Sequence, residues 1–164
     1  MPGWKLNFDE EQIRRIDARL ENLLGNTKAV AVLFASSAGQ PVGHVGALSE
    51  QDRIALATLS AGSLAATVAI AKLLGQTGAF EQVLFEGKKH SVHSSTVGED
   101  FLLVIAFDNR TKLGLVRLMA QEAARDLLKI VREGKESAID HSVRELIDRE
   151  FGDSLADELD TMFP

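Results

Sequence analysis

Four histidines are the side chains in this 164-residue chain best suited to bind a metal or to transfer protons. His90 and His93 stand three positions apart, and on a strand that odd spacing directs them to opposite faces of the sheet. His44 and His141 have no further ligand at metal-binding spacing, and the chain has no cysteine. The sequence therefore predicts no metal site and no bound cofactor.

The segment FEGKKH, residues 85–90, has the glycine and lysine of a phosphate-binding loop. That loop requires another glycine where this chain has Gln82, and a serine or threonine where it has Lys89. A hairpin turn explains the segment better. The chain also lacks the GxSxG and HExxH motifs and a spaced carboxylate pair. We therefore predict that the protein is not an enzyme and has no catalytic residues.

The composition is that of a single globular domain in a reducing compartment. Hydrophobic residues make up 45% of the chain, and the net charge of −6 is scattered, without the basic face of a nucleic-acid-binding protein. The N-terminus becomes acidic by residue 9 and has no signal-peptide core. The longest apolar runs fall short of the roughly 20 residues of a membrane span. We expect a cytoplasmic protein without a membrane span.

Apolar periodicity predicts the order helix, two strands, helix, three strands, helix. The first helix opens near Asn7 and stops at Gly25-Asn26, and the second runs from Ser49 to Leu74. Strands are predicted at 29–35, 42–48, 81–87, 90–97 and 100–107, and Thr111 is the expected cap of the last helix. Strands 29–35 and 101–107 are apolar throughout, so helices must cover both faces of the sheet. This order indicates a three-layer α/β/α protein of the α+β class.

Residues 135–164 have a different composition from the rest of the chain. Apolar residues recur at helical spacing up to Phe151, and Gly152-Asp153 are expected to break the helix. Leu155, Leu159, Met162 and Phe163 then follow among acidic residues. The segment is either a terminal helix docked on the domain or a detachable amphipathic segment that binds a partner.

The long helix at 56–74 is unusual because Lys72 is its only charged residue. At about 100° per residue, Leu56, Leu59, Ile70, Leu73 and Leu74 share one side, which we expect to pack on the sheet. The opposite side carries alanines at a spacing of four: Ala57, Ala61, Ala65 and Ala69. Alanine is a good helix former, so this ridge could simply be exposed. The missing charge instead favours a ridge covered by another polypeptide.

The strand at 82–86 borders the polar strand HSVHSSTV, and it is expected at an edge of the sheet. An edge that is partly apolar and has no proline can pair with another strand. The glycine-containing loop at 75–78 could instead shield it. Together, the ridge and the edge favour a two-fold homodimer whose sheet continues across the interface.

Three segments resemble the Roadblock (dynein light chain) family and its bacterial MglB branch: LATLSAGSLAATVAIAKLLG (56–75), FEGKKHSVHSSTVG (85–98) and VIAFDNRTKLGLVRL (104–118). The resemblance implies a five-stranded, largely antiparallel sheet between one long helix and two others. It also implies three parts: a tail (1–7), a Roadblock domain (8–134) and an amphipathic C-terminal extension (135–164).

The function implied by this resemblance is to bind a small Ras-like GTPase of the MglA type in its GTP state. Family members of this branch stimulate GTP hydrolysis and help to set bacterial cell polarity and motility, so the resemblance also implies a polar location in the cell. The GTPase-binding residues it implies are Ala65 and Ala69, with Ala61, Gly62, Thr58 and Lys72 beside them. The dimer-interface residues it implies are Ala57, Leu64, Val68, Val83, Leu84 and Phe85. Leu155, Leu159, Met162 and Phe163 are the implied partner contacts of the extension.

Some GTPase activators insert an arginine that stabilises transition-state charge, and Arg53, Arg110 and Arg117 are the candidates here. The MglB resemblance favours a different mechanism, in which the GTPase supplies its own arginine and glutamine and the dimer aligns them. The alternative function is a Roadblock scaffold that recruits a GTPase or assembles a complex without accelerating hydrolysis.

Overall fold

A computed structural model describes residues 8–163 as three helices and five strands. The helices are α1 (Glu10–Thr27), α2 (Glu50–Leu73) and α3 (Leu113–Met162). The strands are β1 (Ala31–Ser36), β2 (Pro41–Gly46), β3 (Gln82–Glu86), β4 (His90–Val97) and β5 (Phe101–Asp108). The predicted order of elements is confirmed, with boundaries shifted by a few residues.

The five strands form one antiparallel sheet in the order β2-β1-β5-β4-β3. β5 lies at the centre, where Ile105 pairs with Val32 on one side and with His93 on the other. Both sides of β1 and β5 are buried, as their uninterrupted apolar sequences predict. β3 occupies an edge, which confirms the position predicted for it.

Two apolar cores lie on opposite faces of the sheet, because successive side chains of a strand alternate between faces. Val32, Phe34 and Ile105 face α1 and α3 and pack with residues such as Leu127. Leu33 and Val104 face α2 and pack with Ala57. The observed layers therefore match the predicted Roadblock-like fold, with α2 on one face and two helices on the other.

α1 begins and ends differently from the prediction. Asp9 is its N-cap: its carboxylate accepts from the backbone N–H of Gln12, whose side chain accepts from the N–H of Asp9. Asn7 lies outside the described residues. At the other end the helix passes Gly25 and continues to Thr27, and Lys28 ends it in the left-handed conformation.

α3 begins at Leu113 with Lys112 at its N-cap position, so Thr111 is not the cap. The Thr111 hydroxyl donates instead to the Thr27 carbonyl oxygen, which joins the start of α3 to the end of α1. A capping threonine and a threonine that binds a neighbouring helix have the same sequence context, so the pattern could not distinguish them.

α3 is one continuous helix of 50 residues. The predicted break at Gly152-Asp153 is wrong, since a glycine inside a helix costs only about 1 kcal/mol relative to alanine. At Gly134 an added Cβ would collide with the Gln12 side chain, whose amide donates to the Ile130 carbonyl oxygen at 3.0 Å. Glycine there leaves room for the Gln12 side chain to lie against α3 and make this hydrogen bond. Beyond it, side chains 135–163 are exposed, so the extension is not docked on its own domain.

Candidate partner-binding surface

Both ends of α2 are fixed by residues that favour the start or the end of a helix. The Ser49 hydroxyl accepts from the Asp52 backbone N–H at 3.1 Å, and Glu50 and Asp52 lie in the first turn, next to the positive end of the helix dipole. After Leu74, Gly75 adopts a positive φ of 66° and allows the chain to turn away. The helix between these ends is therefore fixed in length, and its packing decides which residues a partner can contact.

The side of α2 that packs on the sheet is not the one that the sequence predicted. The buried positions are Ala57, Ser60, Ala61, Leu64, Thr67 and Ala71. Of the five residues expected against the sheet, only Leu56 contacts the core. Leu59 is 71% exposed and Leu73 is 86% exposed, and Ile70 and Leu74 are exposed as well. The expected orientation was wrong because both sides of this helix are apolar, so periodicity does not distinguish them.

The alanine ridge crosses from the core to the surface. Residues four apart on a helix rotate by about 40° per step, so three steps turn the ridge by about 120°. Ala57 is fully buried and Ala61 is 8% exposed, whereas Ala65 and Ala69 are exposed. Ala57 therefore offers no surface to a partner, Ala61 offers very little, and the predicted ridge is reduced to its second half.

The exposed side of α2, called here the outer face, consists of two adjacent strips. The first has large apolar side chains at Leu59, Ile70 and Leu73. The second has small or short side chains and contains most of the expected GTPase contacts: Thr58, Gly62, Ala65 and Ala69. Lys72, also exposed, lies at the margin of the second strip and is the only charge between Leu56 and Leu74. An apolar surface free of charge can be buried by a partner at a low desolvation cost.

The residues expected at a dimer interface are divided between core and surface. Leu64 is 8% exposed and packs with Ala57 in the core beneath α2, so neither residue is available to a second copy. Val68 is exposed. On the edge strand, Val83 and Leu84 are half-buried on opposite faces of the sheet, and Phe85 is 52% exposed. In the described part of the chain β3 pairs only with β4, so its outer backbone edge is open.

A cleft of about 650 Å³ separates the C-terminal half of α2 from the loop at 77–81. Ala65 and Val68 line one wall, and Phe80 and Glu81 line the other. The outer face of α2 therefore borders this groove at Ala65.

The four histidines are dispersed, as their spacing predicts. His93 is buried, and its ring contacts the Gln82 side-chain oxygen at 3.2 Å. Burial, with a smaller contribution from the charge of Arg117, lowers the pKa of His93 below its ordinary value of 6.5. His44 contacts Arg53, and exposed His141 lies 3.7 Å from Glu145. Among residues 8–163, no group of three or more His, Asp or Glu side chains could hold a metal ion.

Arg110 lies at one end of the sheet and forms an ion pair with Asp108 at 2.9 Å. Hydrogen bonds from the guanidinium and from the Arg110 backbone N–H lower the pKa of the Asp108 carboxyl. The pair lies in the loop that joins β5 to α3, and the Arg110 side chain remains largely exposed.

The four expected contact residues of the extension lie on the distal part of α3. Leu155, Leu159, Met162 and Phe163 are all exposed. They are far along the chain from the outer face of α2, and no described contact joins the two surfaces. The candidate sites are therefore two separate surfaces on one protomer.

α2, with 24 residues and few charges, is also long and apolar enough to cross a membrane. This contradicts the expectation that every apolar stretch is too short. Length and composition are weak evidence for a span, because a helix that covers a sheet has the same properties. One side of α2 does pack on the sheet, and its Ser60 and Thr67 side chains lie on that buried side.

Sequence reasoning missed Leu59, Ile70 and Leu73 as surface residues. One signal could have identified them: the small side chains at positions 57, 60, 61 and 71 suit a close approach to a flat sheet. If the small side chains face the sheet, Leu59, Ile70 and Leu73 lie on the side of α2 that faces solvent.

Residues 16–107 match the family model for the Roadblock/LC7 domain. Three solved MglB structures are similar over 77% of this chain and 95% of theirs. MglB of Myxococcus xanthus is 36% identical with a TM-score of 0.71. An MglB with a tetrameric arrangement is 33% identical with a TM-score of 0.73, and the gliding protein MglB of Thermus thermophilus is 33% identical with a TM-score of 0.71. No curated protein matches the chain.

Proposed function

This chain belongs to the Roadblock/LC7 family, and we propose that it is a homodimeric regulator of a small Ras-like GTPase of the MglA type. It binds the GTPase in its GTP state and stimulates hydrolysis, in the control of bacterial cell polarity and motility. The observation that supports this proposal best is the outer face of α2, an apolar surface between Leu56 and Leu74 whose one charge, Lys72, lies at its margin.

The large apolar strip and the β3 edge support self-association. Leu59 and Leu73 are mostly exposed to solvent in one protomer, and burying such side chains stabilises an interface by about 25 cal/mol for each Å² of apolar area. Phe85 and Val68 extend this surface toward the edge strand. Two copies related by a two-fold axis would cover each other's strips and pair their β3 edges. One similar MglB forms a tetrameric arrangement, which agrees with a chain that self-associates.

The small-residue strip is the proposed GTPase site. Gly62, Ala65 and Ala69 let a partner's backbone come close to the helix, and Thr58 adds one hydroxyl. Lys72 at its margin could meet an acidic group of the GTPase. Ala61 lies at the inner border and contributes packing beneath the strip.

The proposed mechanism needs no catalytic group from this chain. The strip has no arginine, and Arg110 is already paired with Asp108. The dimer accelerates hydrolysis because it binds the GTPase conformation in which that protein's own arginine and glutamine are aligned. Binding energy then shifts a conformational equilibrium toward the reactive state. A scaffold that binds without shifting this equilibrium is the alternative.

The domain comprises residues 8–134, and residues 135–164 are an extension that presents Leu155, Leu159, Met162 and Phe163 to a partner. The proposed location is the cytoplasm, with enrichment at a cell pole. An acidic chain of this kind is not expected to bind nucleic acid.

Replacing both Ala65 and Ala69 with arginine tests the GTPase site. Two long cations on the small-residue strip should abolish binding of the GTP-loaded GTPase, a loss of at least 100-fold, and should remove stimulation of hydrolysis. Binding is measured by calorimetry, and hydrolysis by a phosphate-release time course. The wild-type protein itself distinguishes an activator from a scaffold. An activator increases the rate of phosphate release by the GTPase, whereas a scaffold binds the GTPase and leaves that rate unchanged.

The matched control is Ala18→Arg with Gln121→Arg, which adds two arginines at exposed positions on α1 and α3. This control should bind and stimulate normally. Wild-type affinity in the Ala65/Ala69 variant would refute the proposed site. A folded but monomeric variant would instead assign the strip to the dimer interface.

A further inference from the structure

The charge of this protein is distributed unevenly between the domain and the extension. Positions 135–164 contain nine of the 24 acidic residues and three of the 18 basic ones, so their net charge of −6 equals that of the whole chain. Positions 1–134 are therefore neutral overall. From Glu150 onward the sequence has five carboxylates and no lysine or arginine. The end of α3 is thus the acidic pole of the molecule.

Basic residues collect at one end of the sheet, where three loops meet. The Asn109 side chain donates to the Lys88 carbonyl oxygen at 3.2 Å, so the β3–β4 turn touches the loop after β5. Thr111 in that loop binds the carbonyl of Thr27 at the end of α1. The basic end formed in this way consists of Lys28, Lys88, Lys89, His90, Arg110 and Lys112. Two carboxylates, Glu86 and Asp108, lie beside it, so the formal net charge remains positive.

The two charged regions lie at opposite ends of one protomer. α3 starts at the basic end and crosses the sheet, and Lys135 forms an ion pair with Asp100, beside the start of β5 at the far end. From there the helix continues to Met162, about 40 Å at 1.5 Å per residue. A straight helix that leaves from the far end cannot return to the basic end of its own protomer. Only another molecule can join the two.

We propose that the acidic C-terminal extension of one copy binds the basic end of a second copy, head to tail. The match includes apolar residues as well as charge. Leu115 and Leu118 are exposed on α3 directly after Lys112, and Phe151, Leu155 and Leu159 are exposed on the extension. Since the two surfaces differ, the contact is heterologous, and each copy can donate one extension and accept another. Assembly then proceeds beyond the two-fold dimer, and it requires no GTPase.

A pair of charge reversals in the full-length chain tests this contact. The first variant carries Lys88→Glu, Lys89→Glu and Arg110→Glu. The second carries Asp153→Lys, Asp157→Lys and Asp160→Lys. Mass is measured by sedimentation velocity over a range of protein concentrations, at about 0.01 M and about 1 M salt, where charges act over about 30 Å and about 3 Å respectively. The GTPase is absent from all samples.

At high salt the wild type should sediment as a single small species, called here its smallest unit. At low salt it should form larger species. Each triple variant alone should remain at the smallest unit, because like charges then face each other. An equal mixture of the two variants should recover the larger species, since each again meets an opposite charge. A third variant, Arg14→Glu with Lys129→Glu and Arg132→Glu, reverses three exposed cations elsewhere and should assemble normally.

Several results would overturn the proposal. A wild type that never exceeds its smallest unit at low salt is one, and a mixture that fails to recover assembly is another. A second variant that assembles like the wild type is a third, because the extension then does not bind a second copy. A separate calorimetric titration of that variant with the GTP-loaded GTPase would then show whether the extension serves the GTPase. The Ala65/Ala69 variant should assemble like the wild type, so failure of the proposed GTPase site leaves this test intact.

Discussion

The two faces of the sheet differ in how completely one protomer covers them. On the α1–α3 face, large apolar side chains such as Phe34 and Leu127 fill the core, and charged residues cover the outside. Ion pairs join the two helices there, as between Arg19 and Asp126 at 2.8 Å. On the α2 face, small residues lie inward and large apolar ones lie outward. The outside of the first face is mostly charged, with a small apolar patch at Leu115 and Leu118, whereas the second face exposes a long apolar strip that the proposed partners would cover.

The largest expected effect is a difference in stability between Phe34→Ala and Leu59→Ala. Phe34 is fully buried, so its truncation should lower the free energy of unfolding by about 3–5 kcal/mol through lost burial and the cavity left behind. Leu59→Ala should change the stability of the protomer by less than about 0.5 kcal/mol, as exposed substitutions usually do. Urea unfolding at the lowest usable protein concentration measures both. Equal losses would mean that Leu59 belongs to the core.

The same pair also tests the interface. Because Leu59 is exposed on the outer face, Leu59→Ala should weaken self-association, whereas a Phe34→Ala protein that remains folded should associate normally. Equilibrium sedimentation gives the dissociation constant of each. If Leu59→Ala left that constant unchanged, the outer face would have no part in the dimer.

A smaller effect is expected when leucine replaces an alanine on either side of α2. Ala57 is fully buried against the sheet, so Ala57→Leu should cost about 1–3 kcal/mol because the added atoms overfill a packed space. Ala66 is exposed, and Ala66→Leu is the matched control with the same change in volume. Thermal unfolding of the two variants compares them. A stable Ala57→Leu protein would show that α2 can move away from the sheet without penalty.

The smallest effect is expected from Arg110→Ala. Arg110 is exposed and paired with Asp108, and exposed ion pairs contribute little, about 0–1 kcal/mol. Stimulation of GTP hydrolysis by this variant should stay within a few-fold of normal, as measured by phosphate release. A loss of about 10³-fold or more, the size of an arginine-finger effect, would make Arg110 a catalytic residue and contradict the proposed mechanism.

Most of the fold could be predicted because β1 and β5 have unambiguous apolar patterns. An apolar strand such as Phe101–Phe107 requires helices on both faces whatever its neighbours do. The orientation of α2 could not be predicted in the same way, since Leu59 and Ala57 are both apolar and the helix has one charge between Leu56 and Leu74. The distance between the helix and the sheet determines which of the two residues faces the sheet, and that distance depends on the side chains of the strands beneath the helix.

The candidate site could be predicted only in part, because the sequence indicates that α2 has few charges but not which of its residues face outward. A surface without charge was expected on α2, and one exists there. The prediction assigned residues to the wrong sides of the helix. The alanine series was expected on one exposed side, but it rotates from the core at Ala57 to the surface at Ala69. The GTPase-binding role of Ala65 and the dimer role of Phe85 remain predictions. The continuity of α3 through Gly152 was also missed, since a single glycine only weakens a helix.

The unbroken course of α3 has a mechanical consequence. The segment that packs beside α1 up to Val131 and the segment that reaches into solvent are one rigid rod, held at its base where Gln12 lies against Gly134. With a rise of 1.5 Å per residue, a tilt of about 10° at that base moves the tip by roughly 7 Å. A small change in how α1 packs on α3 near this base would therefore redirect a surface that lies far from both helices' contact.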